Sequence, residues 1–439
     1  DFSKAAAALK YFKIKMQPTV IFHHAQSAEA AEASGKIMTS LVQSPEQGMG
    51  LIVRQNPGSE LLAIHYLFKY KSAHESEFGK EAAKYLHDCF GQRMKSTEKQ
   101  AQGQKFGLKF TVNDNPWIPM DNIYLHPDFG YIRVEGLAND LPGTIGFLNS
   151  EMNGFVPTPE EFKVAQGKFS QSMMHGSKDK AKDLFDEQVD SHLYGSSTKE
   201  NEKVLSYESL LKFARVYFAP ENRLVSVVSP KPEKMVSKLM LAGSKTPSKT
   251  YPLTDKSYLT PSQPVYVDLP GGGERTYLFW GFVKEIESGD EAALKALGLI
   301  LHDKITFDVR EKQGLAYRMS ATASVRDDKV LFYMSLGTRP QNAEVLLPQF
   351  ASLMSKKTLG ELTEEDVQKT INMYLGRMMF RRLSSINQAY YLGTSLFFEN
   401  DMNHDQAFLD ALKAVRLDDV NRVADKYLSA ENAISIVVR

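Results

Sequence analysis

The chain has only one cysteine, no excess of either charge and no long apolar run. A single cysteine, Cys89, excludes a framework of internal disulfides, although it does not identify the cellular compartment. Lysine plus arginine and aspartate plus glutamate number 53 each, so the charge balance gives no reason to expect a nucleic acid or an anionic membrane surface as partner. No apolar stretch approaches the length of a membrane span. Neither nucleic acid nor a membrane span is therefore expected.

The length and the apolar content predict several packed units. A chain of 439 residues exceeds what one hydrophobic core normally serves, so two to four units are expected. Hydrophobic residues make up 42% of the chain, and its 25 phenylalanines and 19 tyrosines can fill large cores.

An internal repeat of about 210 residues runs through the sequence. Tyr66–Phe68 is followed by a charged connector and then by Glu81–Ala83, and Tyr277–Phe279 is followed in the same way by Glu291–Ala293. Repeats at a fixed spacing indicate duplicated structural units. Two copies of one unit are therefore expected.

The ends of the repeat add a third element. A tyrosine before an apolar strand occurs at Tyr217 and Tyr427, at the ends of the two units, and again at Tyr11. Two units need only two such endings. Residues 1–45 are therefore predicted to be the trailing helix and strand of a preceding domain or linker.

The pattern within each unit predicts the fold class. Strands that alternate apolar and polar residues are mixed with long amphipathic helices, which favours an α+β fold with helices on one face of a mainly antiparallel sheet. Thr158 and Thr363 each precede a long helix and carry an acidic residue three positions later, the pattern of a capping box. The predicted units are residues 46–230 and 265–439, joined by a linker rich in proline, lysine and serine at residues 231–264.

One short motif carries chemistry. Arg310 and Tyr317 flank Gly314, which is predicted to end a helix over Lys304–Gln313 in the left-handed conformation. This stretch resembles the Arg/Tyr element of the pitrilysin/insulinase zinc peptidases, or inverzincins. The resemblance implies a clam-like pair of α+β domains, in which the arginine and the tyrosine reach toward a zinc site held in another domain.

The zinc motif of that family, H-x-x-E-H, does not occur in this sequence. The resemblance places Ala83, Leu86 and His87 at its first histidine, glutamate and second histidine. The stretch that corresponds to the third ligand, 163–166, has no carboxylate, and Glu160 and Glu161 fit better as charges of a first helical turn. The second unit has Ala293-Leu294-Lys295-Ala296-Leu297 at this place, with no ligand. No metal is therefore expected in this chain, and a site combining His87 and Asp88 with His65 or His74 is disfavoured because adjacent helical residues point to different sides.

The first unit is a control for the Arg/Tyr motif. It keeps a Gly-Leu pair at Gly107-Leu108 but has Gly103 near the arginine position and Phe110 in place of the tyrosine. Helix capping explains the glycine, whereas it requires neither Arg310 nor Tyr317. The guanidinium and the phenol are therefore predicted to assist substrate binding rather than folding.

These features predict the non-catalytic half of a zinc metallopeptidase. Arg310 and Tyr317 would act on a peptide substrate, with zinc bound by a catalytic H-x-x-E-H half in the same polypeptide or in a separate subunit. This chain alone is predicted to be inactive. The alternatives are a structural homologue with no role in proteolysis, like the core subunits of a respiratory complex, and an active peptidase with a rearranged site.

Overall fold

The computed structural model describes residues 37–69, 71, 75, 77–79, 81–113, 129–174, 179–195, 204–242, 257–272, 274–316 and 318–439. Within these ranges the chain forms two mixed sheets with helices packed against them, which confirms the α+β fold class. No helix in the described part of the chain is both long and apolar enough to cross a bilayer.

The strands belong to two sheets with the same core topology. The first sheet has the order β1-β2-β6-β3-β5-β4, and the second has the order β7-β11-β8-β10-β9. In each sheet one neighbouring pair is parallel (β2 with β6, β7 with β11) and the other pairs are antiparallel. The strands are β1 (Met38–Gln43), β2 (Gly50–Gln55), β3 (Leu61–Phe68), β4 (Lys109–Asn113), β5 (Gly130–Leu137), β6 (Arg223–Ser229), β7 (Val265–Leu269), β8 (Thr276–Glu285), β9 (Arg318–Arg326), β10 (Lys329–Thr338) and β11 (Ile434–Val438).

The helices follow the repeat as well. The α-helices are α1 (Ala82–Met94), α2 (Thr97–Lys105), α3 (Leu141–Met152), α4 (Pro159–Met174), α5 (Lys180–Tyr194), α6 (Tyr207–Tyr217), α7 (Glu233–Met240), α8 (Glu291–Thr306), α9 (Pro340–Leu346), α10 (Phe350–Leu353), α11 (Lys356–Leu359), α12 (Glu364–Arg381), α13 (Ser385–Glu399), α14 (His404–Ala414) and α15 (Leu417–Tyr427). The capping box expected at Thr363 is present with Asp366. The one expected at Thr158 is present with Glu161, whose carboxylate accepts from the Thr158 backbone N–H at 2.8 Å.

Two expected boundaries differ from the structure. Residues 1–36 lie outside the described residues, but 38–43, assigned to the preceding segment, form the edge strand β1 of the first sheet. The tight turn at Ser44–Gly48 returns the chain from β1 into the antiparallel β2. Residues 233–240, assigned to the linker, form α7 and place Val236 and Met240 in the first core. The first unit therefore extends beyond 46–230 at both ends.

Each sheet is covered on both faces, whereas the sequence predicted helices on one face only. Leu392 and Leu396 of α13, a helix of the second unit, pack on the outer face of the first sheet. Phe185 and Leu193 of α5, a helix of the first unit, pack on the second sheet. The near-continuous burial of β3, β6 and β8 reflects this double cover, because a strand buried on both faces cannot alternate with polar residues. Each unit therefore contributes one helix that covers the sheet of the other unit.

Candidate functional site

Helix α1 carries Ala83, Leu86 and His87, the positions at which the family resemblance places the zinc motif. Ala83 and Leu86 are fully buried in the first core, against the apolar side chains of the sheet. The Ala83 backbone N–H donates to the Glu75 carboxylate at 2.9 Å, which satisfies one free donor of the first helical turn. Neither side chain has a polar atom that could bind a metal.

His87 is also part of the core. Its Nε2 lies 2.7 Å from the Tyr217 hydroxyl, and the edge of its ring faces Phe68 at a centroid distance of 5.7 Å. Burial, with a smaller contribution from the charge of Lys71, lowers the pKa of His87 to about 3. A Cβ at Gly130 would lie 1.9 Å from the Tyr217 hydroxyl, so the glycine makes room for this pair. His87 is therefore a neutral, hydrogen-bonded core histidine.

The stretch of the third ligand offers no ligand either. Ala165 is buried, and Lys163, Val164 and Gln166 are exposed on α4. Glu161, in the first turn of that helix, accepts from Arg93 at 2.7 and 2.9 Å and caps the helix through Thr158. The described ranges contain no group of three or more His, Cys, Asp or Glu side chains that could hold a metal.

The other histidines considered for a metal do not join this position. His65 lies on β3 on the opposite face of the sheet, stacked on Tyr131 and against the edge of Tyr390. Neither of its ring nitrogens has a hydrogen-bond partner among the described residues, and burial lowers its pKa to about 3. His74 lies outside the described residues.

A cleft of about 690 Å³ lies beside the degenerate zinc helix, between α1, α2, α4 and β4. Three of its lysines, Lys84, Lys99 and Lys168, form ion pairs. Lys84 pairs with Glu81 at 3.1 Å and lies 4.6 Å from the ring centre of Phe169, and Lys168 pairs with Asp88. Aromatic and lysine side chains thus line this part of the first unit.

The second unit has a different arrangement at the corresponding place. Lys295 of α8 lies 4.9 Å from the ring centre of Tyr374 on α12, and the Arg377 guanidinium lies 5.9 Å from the same ring. Burial and the neighbouring charge of Arg377 lower the pKa of Lys295. The sequence alone identifies Lys295 only as a residue that cannot bind zinc, because Tyr374 and Arg377 lie far from it along the chain.

Arg310 lies in a widened helical turn. The helix expected over Lys304–Gln313 is regular only to Thr306, and a π-helical turn follows over Phe307–Lys312. The Arg310 side chain is 47% exposed, and its Nε donates to the neighbouring Glu311 at 2.8 Å. The guanidinium is therefore on the surface, and within the described ranges its ion pair is with an adjacent residue rather than with a distant element of the fold.

The glycine cap predicted from the sequence is confirmed. Gly314 has a φ of +64° and follows the π turn, and Gly107 in the first unit has a φ of +62°. The Leu315 backbone N–H donates to the Val309 carbonyl at 3.0 Å, six residues back, whereas Leu108 donates to Gly103, five residues back. The second unit therefore has one more residue inside the turn that carries Arg310. Tyr317 lies outside the described residues, so its position relative to Arg310 stays a prediction.

Tyr217 and Tyr427 have roles that sequence reasoning missed. They served only as markers of the repeat, yet the Tyr217 hydroxyl bonds to His87 and the Tyr427 hydroxyl bonds to Asp290 at 2.7 Å. Tyr217 lies on α6 and bonds to a residue on α1, and Tyr427 lies on α15 and bonds to the N-cap residue of α8. The two tyrosines are separated by one repeat length, and this was the sequence signal that could have indicated a shared structural role.

Comparison with known proteins gives one family match. Residues 205–374 match the family model described as the peptidase M16 inactive domain. This match confirms the resemblance to the pitrilysin/insulinase peptidases, and an inactive domain fits a sequence that does not contain H-x-x-E-H. No curated protein matches the sequence.

Solved structures share the fold. A protease from Helicobacter pylori matches with a TM-score of 0.74 and 15% identity, over 92% of this chain and 100% of its own. A peptidase M16 inactive domain from Pseudomonas fluorescens matches with a TM-score of 0.71 and 14% identity, over 92% and 98%. The periplasmic protease PqqL from Escherichia coli matches with a TM-score of 0.68 and 14% identity, over 92% of this chain but only 46% of its own.

Proposed function

We propose that this chain is the non-catalytic half of a zinc metallopeptidase. It resembles the pitrilysin/insulinase peptidases, and part of it matches the peptidase M16 inactive domain. The proposal rests on that match together with the residues found at the positions assigned to the zinc motif. Ala83 and Leu86 are buried aliphatic residues, and His87 is held by Tyr217. The chain has the fold of the family without the groups that activate water.

In this proposal the chain forms part of the substrate chamber and supplies Arg310 and Tyr317. When water attacks a peptide bond, the carbonyl oxygen gains charge, and a phenol O–H is a suitable donor to it. A guanidinium holds a carbonyl or carboxylate with two parallel donors. Zinc, bound in the partner half, would supply the activated water.

The surroundings of Arg310 support this role. Its guanidinium is partly exposed, and its ion pair is with an adjacent, equally exposed glutamate. Such a pair between solvated neighbours contributes little to stability, so the arginine is not needed for folding. π-helical turns are also frequent at functional sites, and this turn has no counterpart in the first unit.

Reconstitution with the catalytic half tests the proposal. The chain is mixed or co-expressed with an H-x-x-E-H half encoded in the same genome, and cleavage of a quenched fluorescent peptide is followed with and without a zinc chelator. We expect the two halves to form a complex and cleavage to need both. If the two halves form a stable complex but the catalytic half cleaves the peptide equally well by itself, the proposal is overturned and the structural homologue is favoured.

A further inference from the structure

An exposed stripe runs along α12 of the second unit. Met373, Gly376, Arg377, Phe380 and Leu383 follow the spacing i, i+3, i+4, i+7, i+10, which places them on one side of the helix and its end. Met373 is 50% exposed, Phe380 72% and Leu383 73%. Large apolar side chains exposed side by side mark an interaction surface, whereas single ones do not. We call these five residues the α12 stripe.

Gly376 is not explained by packing within the chain. A Cβ at this position would meet no atom within 4 Å. Glycine inside a helix costs about 0.5–1 kcal/mol relative to alanine, so the fold itself would tolerate a larger residue here. The missing side chain leaves a notch between Met373 and Phe380, where another chain can approach the helix backbone closely.

Two cations, Arg377 in the stripe and Lys295 beside it, have no counter-ion in the part of the chain that the structure describes. Lys295 and Arg377 flank the ring of Tyr374, and no carboxylate in the described ranges forms an ion pair with either. The first unit has Tyr85 at the position of Lys295. The cations near this place in that unit differ, because Lys84 pairs with Glu81 and Lys168 pairs with Asp88. An acidic group from outside would neutralise the two charges of the second unit.

We propose that the α12 stripe, together with Lys295, binds an acidic peptide segment with apolar neighbours. The carboxylate would lie between Arg377 and Lys295, and apolar side chains would cover Met373, Phe380 and Leu383 with the peptide backbone over the notch. The identification of this peptide as a substrate rests on the proposed function. The binding itself is a property of this chain alone.

Fluorescence anisotropy on the purified full chain tests the binding. The probe is a labelled peptide of about twelve residues with aspartate and glutamate between leucine and phenylalanine, and its match has asparagine and glutamine instead. We expect the acidic peptide to bind at least about tenfold more tightly, which corresponds to about 1.4 kcal/mol. The difference should shrink at high salt, because the charges are partly exposed.

Two sets of variants locate the site. Gly376→Leu fills the notch and should weaken binding by about tenfold or more with no loss of thermal stability, because nothing in the fold contacts that position. Gly167→Leu is the matched control, since Gly167 is also an open helical glycine, on α4 of the first unit. The double variant Lys295→Gln, Arg377→Gln should remove the preference for the acidic peptide.

Equal binding of the two peptides, or equal effects of Gly376→Leu and Gly167→Leu, would overturn the proposal. A dimer in sedimentation that Gly376→Leu abolishes, with no peptide binding, would assign the stripe to self-association and also overturn it. Reconstitution separates the two proposals. If the chain binds the peptide but does not contribute to cleavage, this inference stands and the proposed function is wrong. If the chain contributes to cleavage but does not bind the peptide, the proposed function stands and this inference is wrong.

Discussion

At the scale of residues, the positions that the resemblance assigns to the zinc motif hold side chains that pack in the core. Ala83 and Leu86 fill the core, and His87 shares a hydrogen bond with Tyr217 inside a cluster of aromatic rings. A neutral imidazole in such a place avoids the cost of burying a charge. The same cost acts on His65, which lies between the first sheet and α13.

Tyr317→Phe should slow cleavage by the reconstituted enzyme by roughly 10²–10³, the scale for the loss of one donor to the oxyanion. Arg310→Ala should both raise KM and lower kcat, because a bidentate anchor for the substrate is lost. Steady-state kinetics on the reconstituted enzyme measures both effects. Arg215→Ala, an exposed helical arginine of the first unit, is the control and should leave the kinetics unchanged. Full activity of the double variant Arg310→Ala, Tyr317→Phe would reduce the motif to a helix ending.

The buried His65 should make the protein sensitive to acid. Its pKa is about 3 in the folded chain and about 6.5 when unfolded, so below pH 6.5 the unfolded state takes up the proton first. Its contribution to stability is therefore complete above pH 6.5 and falls as the pH drops toward 3. When the pH is lowered from 7 to 5, we expect the free energy of unfolding of His65→Phe to fall by about 2 kcal/mol less than that of the wild type. Urea unfolding at both pH values measures this difference, and equal losses would contradict it.

At the scale of elements, the exchanged helices join the two units. α13 follows α12 in the second unit but covers the first sheet, and α5 follows α4 in the first unit but covers the second sheet. Each sheet would expose a whole apolar face without the helix of the other unit. The two units therefore depend on each other for a complete core.

Leu396→Ala tests the role of α13. Leu396 is 6% exposed and packs among Ile52, Leu67 and Leu224 of the first sheet, so its truncation should cost about 2–5 kcal/mol. Leu383→Ala is the matched control, since Leu383 is 73% exposed, and its effect should stay within about 0.5 kcal/mol. Chemical unfolding followed by circular dichroism gives both values. Equal effects of the two substitutions would show that α13 is not a required cover of the sheet.

At the scale of the whole molecule, two duplicated units form one scaffold in which neither contains the H-x-x-E-H motif. The first unit retains one histidine of the zinc motif, and the second has Lys295 in that helix. The second unit instead carries the features that point outward, Arg310 in its π turn and the α12 stripe. The two units have the same topology but different surfaces.

The purified chain should contain no stoichiometric zinc and should not cleave unstructured peptides. The reason is the loss of two motif residues and of the third ligand, which removes both the metal and the general base. Metal analysis after extensive desalting and a peptide cleavage assay check this together. One tightly held zinc per chain with cleavage that a chelator stops would establish a rearranged active site instead.

The sequence by itself determined the repeat, the α+β class and the glycine cap at Gly314, because each follows from local residue types at a regular spacing. It also shows that the H-x-x-E-H motif does not occur, from which the absence of zinc ligands is predicted. The domain limits were less accurate at both ends of the first unit, because β1 and α7 are defined by what they pack against.

Only the tertiary structure decided the contacts between distant parts of the chain. The bond of His87 to Tyr217, the cover of each sheet by a helix of the other unit, and the meeting of Lys295 with Tyr374 all join residues far apart in sequence. The exposure of the α12 stripe also depends on which face of the helix the core uses. Periodicity shows that a helix has two faces, but the burial of one of them is settled by the elements packed around it.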